Sequence, residues 1–126
     1  MEFKSYRDLE VWQKGMSLAK DVYQVTSRFP ADEKFGLVNQ IRRAVVSIPS
    51  NIAEGHARSG TAEFKHFISI ALGSLAEMET QIILSSELGY LNKKEMTGLL
   101  EQLDIIGKML RGLYKALGRK RLGDKG

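Results

Sequence analysis

Apolar residues recur at spacings of three and four through most of this chain, and the pattern resolves into four helices. In the first, Leu9, Trp12, Met16, Ala19, Tyr23 and Thr26 make a bundle seam. Leu18, Val22, Val25 and Phe29 widen it. Asp8 is placed to cap this helix, Gly15 suits close packing, and Pro30 stops the helix near Phe29. Asp32 is placed to cap the second helix, whose line is Phe35, Val38, Ile41, Val45, Ile48 and Ile52. Pro49 lies inside that line, removing a backbone donor and crowding the preceding turn, so the helix kinks or breaks there. The periodicity crosses Pro49 without a change of phase, which favours the kink, with Ser47 and Ser50 offering hydroxyls to the freed carbonyls. Gly55, or the ARSG run after His56, ends this helix. Ser59 or Thr61 opens the third, along Phe64, Ile68, Ala71, Leu75, Met78 and Ile82. Gly89 supplies the left-handed stop, and Asn92 with Glu95 forms a capping box for the fourth. That helix reads Met96, Leu99, Leu103, Ile106, Leu110, Leu113 and Leu117, and Gly118 ends it.

Long helices joined by short turns predict an all-α fold, an antiparallel up-down-up-down four-helix bundle over residues 1–117. Residues 118–126 then form a flexible basic tail. Trp12, Val11, Leu18, Leu37, Val46, Leu100 and Ile105 sit beside the main seams. This surplus apolar surface either fills one wide core or serves a homo-oligomer interface.

Composition narrows the classes. The chain has 126 residues, 43% hydrophobic, enough for one domain with a real core. The absence of cysteine excludes disulfides and thiolate zinc sites. No apolar run is long enough to predict a membrane span. The opening MEFKSYRDLEVW, with acids early and no apolar leader, points to a cytoplasmic location. Net charge is +4, and its placement says more than its size. From Lys108 to Gly126 there are seven Lys/Arg and one Asp, whereas Ser59–Gly107 holds three Lys/Arg and seven acids.

Candidate chemistry is sparse. Arg42 and Arg43 point in different directions on a helix; one is expected to reach a carboxylate, Glu79 or Glu54, and the other to lie at the surface. Ser47, Asn51 and Glu54 share a helical face beside Ser50. Small polar groups around a helical proline serve packing, and a serine nucleophile needs a base and an orienting partner that this stretch lacks. His56 and His66 read as surface residues, no zinc, P-loop or EF-hand pattern occurs, and no cofactor or enzymatic activity is indicated. Lys108, Arg111 and Lys115 recur along one face of the last helix, and Arg119, Lys120 and Arg121 continue beyond it. These six are the candidate contacts for RNA or DNA backbones. The leading expectation is a non-catalytic oligomeric scaffold with such a surface; the alternative is a protein-interaction or structural module with incidental charge.

Residues 36–55, GLVNQIRRAVVSIPSNIAEG, resemble the signature of the family named for the intervening sequences of bacterial 23S ribosomal RNA genes. DLEVWQKGMSLAKDVY at 8–23 is similar to that family's first helix, EFKHFISIALGSLAEMETQI at 63–82 to its third, and LGYL at 88–91 to the turn after it. The resemblance implies a four-helix bundle assembled as a ring-shaped homopentamer. It implies no catalytic residues. A similar fold occurs in the accessory proteins of diversity-generating retroelements, which assist a reverse transcriptase and bind nucleic acid through a basic surface. Residues 119–121 lie outside the shared motif.

Overall fold

The computed structural model describes residues 5–123, with side chains described through Gly118. Four α-helices account for most of it: α1 (Glu10–Thr26), α2 (Leu37–Ala57), α3 (Thr61–Glu87) and α4 (Lys93–Gly123). Two short 3-10 turns, Tyr6–Asp8 and Ala31–Glu33, precede α1 and α2, and the described residues contain no strand. Each helix lies beside two others: α1 beside α2 and α4, and α3 beside α2 and α4. Between them they bury one core, in which Leu18, Val22, Ile48, Ile52, Ile68, Met78, Leu103, Ile106 and Leu110 are almost fully inaccessible. Each such side chain contributes about 1.5–3 kcal/mol on leaving water.

The lines expected for α3 and α4 face this core from Ile68 to Ile82 and from Leu99 to Leu117. On α1 the expected seam is out of phase. Its buried residues are Val11, Gly15, Leu18, Val22 and Thr26, while Met16 and Tyr23 remain about 40% exposed. Gly15 explains the choice: a Cβ built there would sit 3.4 Å from the ring of Pro49. α1 and α2 therefore meet closely at Gly15, and whatever shares its stripe turns inward. Val11, Leu18 and Leu37 are accordingly core residues rather than surplus surface, whereas Val46 and Ile105 stay exposed.

Several ends differ from expectation. Asp8 belongs to a 3-10 turn capped by the Ser5 hydroxyl, and α1 begins after Leu9 without a side-chain cap. Nor does Asp32 cap α2. That helix follows Gly36, and the Glu33 carboxylate accepts a hydrogen bond from the Leu37 N–H at 3.1 Å. Phe35 lies in the turn, outside the helix and outside the core. α2 runs unbroken through Pro49 and through Gly55 to Ala57. Gly55 serves packing instead: a Cβ there would lie 2.8 Å from both Phe64 Cδ1 and Phe67 Cβ of α3. α4 continues through Gly118 to Gly123, so that glycine does not divide helix from tail. By contrast, the turn into α4 follows the pattern read from sequence. Gly89 takes φ +83°, the Glu95 N–H donates to Asn92 Oδ1 at 2.7 Å, and the Asn92 N–H donates to Glu95 Oε1 at 3.0 Å.

Side chains tie the α1–α2 corner to the α3–α4 turn. Glu33 accepts from the Tyr90 hydroxyl at 2.9 Å, Phe29 packs on the Tyr90 ring, and Arg28 pairs with Glu95. The Glu33 hydrogen bond, with burial and nearby carboxylate charge, raises the Tyr90 pKa above its ordinary value. Glu95 is held below the usual carboxylate range, chiefly by the Asn92 backbone N–H and then by Arg28.

Candidate functional site

The stretch 42–54 is first a packing device. Arg42 reaches back to the end of α1, donating from Nε to Thr26 Oγ1 at 2.9 Å and from Nη2 to the Tyr23 carbonyl at 3.1 Å. Its guanidinium stands 4.4 Å from the Tyr23 ring centroid. The last carbonyls of a helix carry partial negative charge, so a cation suits this place. Neither expected carboxylate is its partner. Glu54 pairs with Arg58 at 2.7 Å, and Glu79 forms no ion pair among the described residues.

The small polar residues connect α2 to α3. Ser47 and the nearly buried Ser74 share a hydrogen bond of 2.7 Å, and Asn51 Nδ2 donates to both the carbonyl and the hydroxyl of Ser47 at 2.8 Å. The Ser47 hydroxyl is therefore occupied by Ser74 and Asn51 rather than by the carbonyl freed by Pro49, and Ser50 is exposed. Burying such a set is tolerable because its members satisfy one another. Arg43, exposed, lines a shallow groove with Asn39, Gln40, Ala44, Ser47, Ser74 and Glu77. Nearby, the buried Gln81 donates to Glu77 at 3.4 Å and leaves its own Oε1 without a protein partner.

The basic residues of α4 are exposed and differ in what they touch. Lys108 is paired with Asp104 one turn back at 3.2 Å. Lys115 and Arg111 are exposed and form no ion pair among the described residues. The Arg111 guanidinium folds over Gly107, where a Cβ would meet it at 3.2 Å and would also approach Leu75 of α3. Further along the same pair of helices stands a residue that sequence reasoning missed. Lys65, at the start of α3, stands 4.7 Å from the Tyr114 ring centroid and close to Gly118. Lys65, His66, Ser69 and Tyr114 together line a polar groove between α3 and α4. Tyr114 lies between Arg111 and Lys115 in sequence, which was the available signal. The side chains of Arg119, Lys120 and Arg121 lie outside the described residues.

His56 is half-buried edge-on to Phe64, and His66 lies edge-on to Phe67. Among the described residues no three His, Asp or Glu side chains gather where a metal ion could be held.

The profile of the family described as 23S rRNA-intervening sequence protein matches residues 7–112, which is most of the chain. The chain belongs to this family. The match takes in all of α1–α3 and α4 as far as Gly112, so Lys115 and the basic residues after it fall beyond it. Among solved structures, the fold is similar to a protein of unknown function from the S23 ribosomal protein family of Bacteroides thetaiotaomicron. The TM-score is 0.78 at 24% identity, covering 83% of this chain and 95% of that one. No functionally curated protein matches the chain. The family match and the structural likeness go with the four-helix fold, and they assign neither a reaction nor a ligand.

Proposed function

We propose that this intervening-sequence family protein is a non-catalytic, cytoplasmic, homo-oligomeric scaffold that holds nucleic acid by its phosphate backbone. The bundle is antiparallel, its helices alternating up and down, and five copies form the ring that the family resemblance suggested. Alternation is supported by which ends meet: Arg28 with Glu95, Glu33 with Tyr90, and Lys65 with Tyr114. The scaffold reading is supported by the use of Ser47 and Asn51 in each other's hydrogen bonds. Oligomerisation is supported by the apolar side chains left at the surface, Met16, Tyr23, Val46, Ile83, Leu84 and Ile105 among them.

The observation that carries nucleic-acid binding is a set of cations without a carboxylate partner among the described residues: Lys65, beside the Tyr114 ring, and Arg111 and Lys115 on α4. Arg119, Lys120 and Arg121 continue it in sequence. Such a surface reads charge and not base identity. Titration of duplex and structured RNA at several salt concentrations tests this. Affinity should fall steeply with salt. An Arg111→Gln, Lys115→Gln variant should lower the log–log slope by up to about two units on every sequence, with an unchanged circular dichroism spectrum. A folded variant with the parental affinity and slope removes α4 from the mechanism.

A second reading, a protein-interaction module without nucleic acid, is favoured by one observation. α3 leaves Ile70, Ile83 and Leu84 at the surface. These apolar side chains offer contact to a protein neighbour. Loss of all RNA binding near physiological salt, with the oligomer intact, would select this reading.

A further inference from the structure

Packing puts an aromatic ring at the basic end of the bundle. Tyr114, on the last part of α4, is 39% exposed. Lys65 comes from α3, is half-buried, and holds its Nζ 4.7 Å from the Tyr114 centroid. The same Nζ lies 3.4 Å from where a Gly118 Cβ would stand, so the lysine lies against α4. Lys65, His66, Ser69 and Tyr114, with Ala62, line an open groove of about 300 Å³ between the two helices. That is the lower end of the volumes that hold small ligands, with room for one planar heterocycle and not for a helix.

The groove offers what the parts of a nucleotide need. Tyr114 supplies a π face and Lys65 a cation. His66 and Ser69, both exposed, leave hydrogen-bonding groups for the edge of a base. No carboxylate lines it. α3 has no acid from Phe64 to Ala76, and α4 has none from Ile105 to Gly118. Glu54 and Glu63, at the α2–α3 turn, both reach Arg58. Asp8 and Glu10, before and at the start of α1, belong to elements that do not touch α3.

An unpaired nucleotide improves this arrangement on both sides. A base stacked on an aromatic ring contributes more than an ammonium at an exposed ring, so the base takes the Tyr114 face. The displaced ammonium then meets the phosphate beside that base, a stronger partner than the ring. Lysine suits the exchange, because its flexible stem moves the charge without moving α3. A duplex cannot make it, since its bases are already stacked inside the helix.

We infer that this groove seats one unpaired base of a single-stranded nucleic acid on Tyr114, with Lys65 on the adjoining phosphate. This rests on the nucleic-acid reading above and names the ligand as single-stranded. Neither contact reads the sugar, so RNA and DNA strands serve alike.

The probes are a short labelled RNA strand, its duplex, the DNA strand of the same sequence, and the RNA strand with abasic sugars, which keeps every phosphate. By fluorescence anisotropy at one salt concentration, the parent should bind the complete strand about tenfold more tightly than the abasic one. The DNA strand should match the RNA within a few-fold. Tyr114→Ala should weaken the complete strand by about tenfold and leave the abasic and duplex affinities unchanged, while Tyr114→Phe keeps the parental values. Lys65→Gln should lower the salt slope on the single strand by up to about one unit. The base site is overturned if the parent binds complete and abasic strands equally, which leaves backbone binding by Arg111 and Lys115 standing. It is also overturned if a folded Tyr114→Ala protein binds the complete strand as the parent does, or if the DNA strand binds no better than the abasic RNA. A parent that binds neither strand nor duplex near physiological salt removes the nucleic-acid reading itself, and the base site with it.

Discussion

Arg42 and Arg43 are adjacent and chemically identical, and the fold separates them completely. The Arg42 guanidinium is engaged twice, on Thr26 Oγ1 and on the Tyr23 carbonyl, and it stacks on the Tyr23 ring. Removing it strips a charged donor from two acceptors. Thr26 is only 3% exposed, but its hydroxyl still donates to the Val22 carbonyl at 2.7 Å, so it is not orphaned. The Tyr23 carbonyl is near the helix end and keeps the Ser27 N–H at 3.2 Å. The loss is therefore well short of the cost of breaking a buried ion pair. Charge-assisted hydrogen bonds of this kind and a half-exposed cation–π contact together come to about 2 kcal/mol. Arg42→Ala should thus lower the urea midpoint by about 1 M, for a slope near the middle of the range usual for small proteins. Arg42→Lys keeps the charge but loses the planar fork, and should fall between. Arg43→Ala should change stability by no more than about 0.5 kcal/mol. All four proteins are compared at one chain concentration, since assembly would add its own free energy. Equal midpoints for Arg42→Ala and the parent would refute the cross-helix contact. A larger loss from Arg43→Ala would show that the exposed arginine is engaged by another copy.

Two further predictions use the turns and the glycines. Gly55→Ala places a methyl 2.8 Å from Phe67 Cβ, an atom fixed to the α3 backbone, so the helices must part, at about 1–2 kcal/mol net of the gain in helix propensity. Gly112→Ala meets nothing within 4 Å and should stabilise by about 0.5–1 kcal/mol, so opposite shifts of the thermal midpoint are expected; a Gly55→Ala protein as stable as the parent would refute the close approach. Glu95 has a folded pKa below its ordinary 4.5, so its stabilising effect is complete above that value and is lost as pH falls through the folded one. Urea midpoints of parent and Glu95→Gln should therefore differ near neutrality and converge in acid; a constant gap would refute the assignment.

How much of this was legible depended on whether a signal was local. The turn into α4 was readable because Gly89, Asn92 and Glu95 act within one another's reach. α4 was readable because it carries one dominant apolar line; on α3 the line from Ile68 to Ile82 is the buried one although Ile70, Ile83 and Leu84 stay exposed on other faces. α1 carries two, and hydrophobicity alone cannot say which faces inward. Gly15 could have decided it. A glycine kept for close packing must lie on the packed face, and the stripe through Gly15 is the buried one, Val11, Leu18, Val22 and Thr26. The partner of Arg42 was illegible for a different reason. A search for carboxylates cannot find a carbonyl, a threonine hydroxyl and an aromatic face, because a backbone acceptor leaves no mark in the sequence. Lys65 was missed likewise: its meeting with Tyr114 is made by the packing of α3 on α4, across 49 positions.

The proposed basic surface has a definite place in the bundle. α3 alone, Thr61–Glu87, spans about 40 Å at helical rise. Lys65 and Tyr114 lie at its beginning, and Phe35 stands at the corner that Tyr90 clamps, beyond its end. The hydrogen bonds and ion pairs that fix corners are gathered at the Phe35 end: Glu33 with Tyr90, Arg28 with Glu95, Asn92 with Glu95, and Arg42 on the end of α1. The opposite end holds Lys65 and Tyr114 and has ties of its own, with Arg58 reaching Glu54 and Glu63 across the α2–α3 turn. A phosphate surface tolerates loose positioning because its attraction acts over about a Debye length. Each copy in the proposed assembly repeats the basic end, and repetition raises avidity without any new contact type. Arg111→Gln, Lys115→Gln should accordingly weaken RNA binding while light scattering reads the parental mass. A folded variant that binds as tightly as the parent, or that loses the parental mass, would refute the separation of binding from assembly.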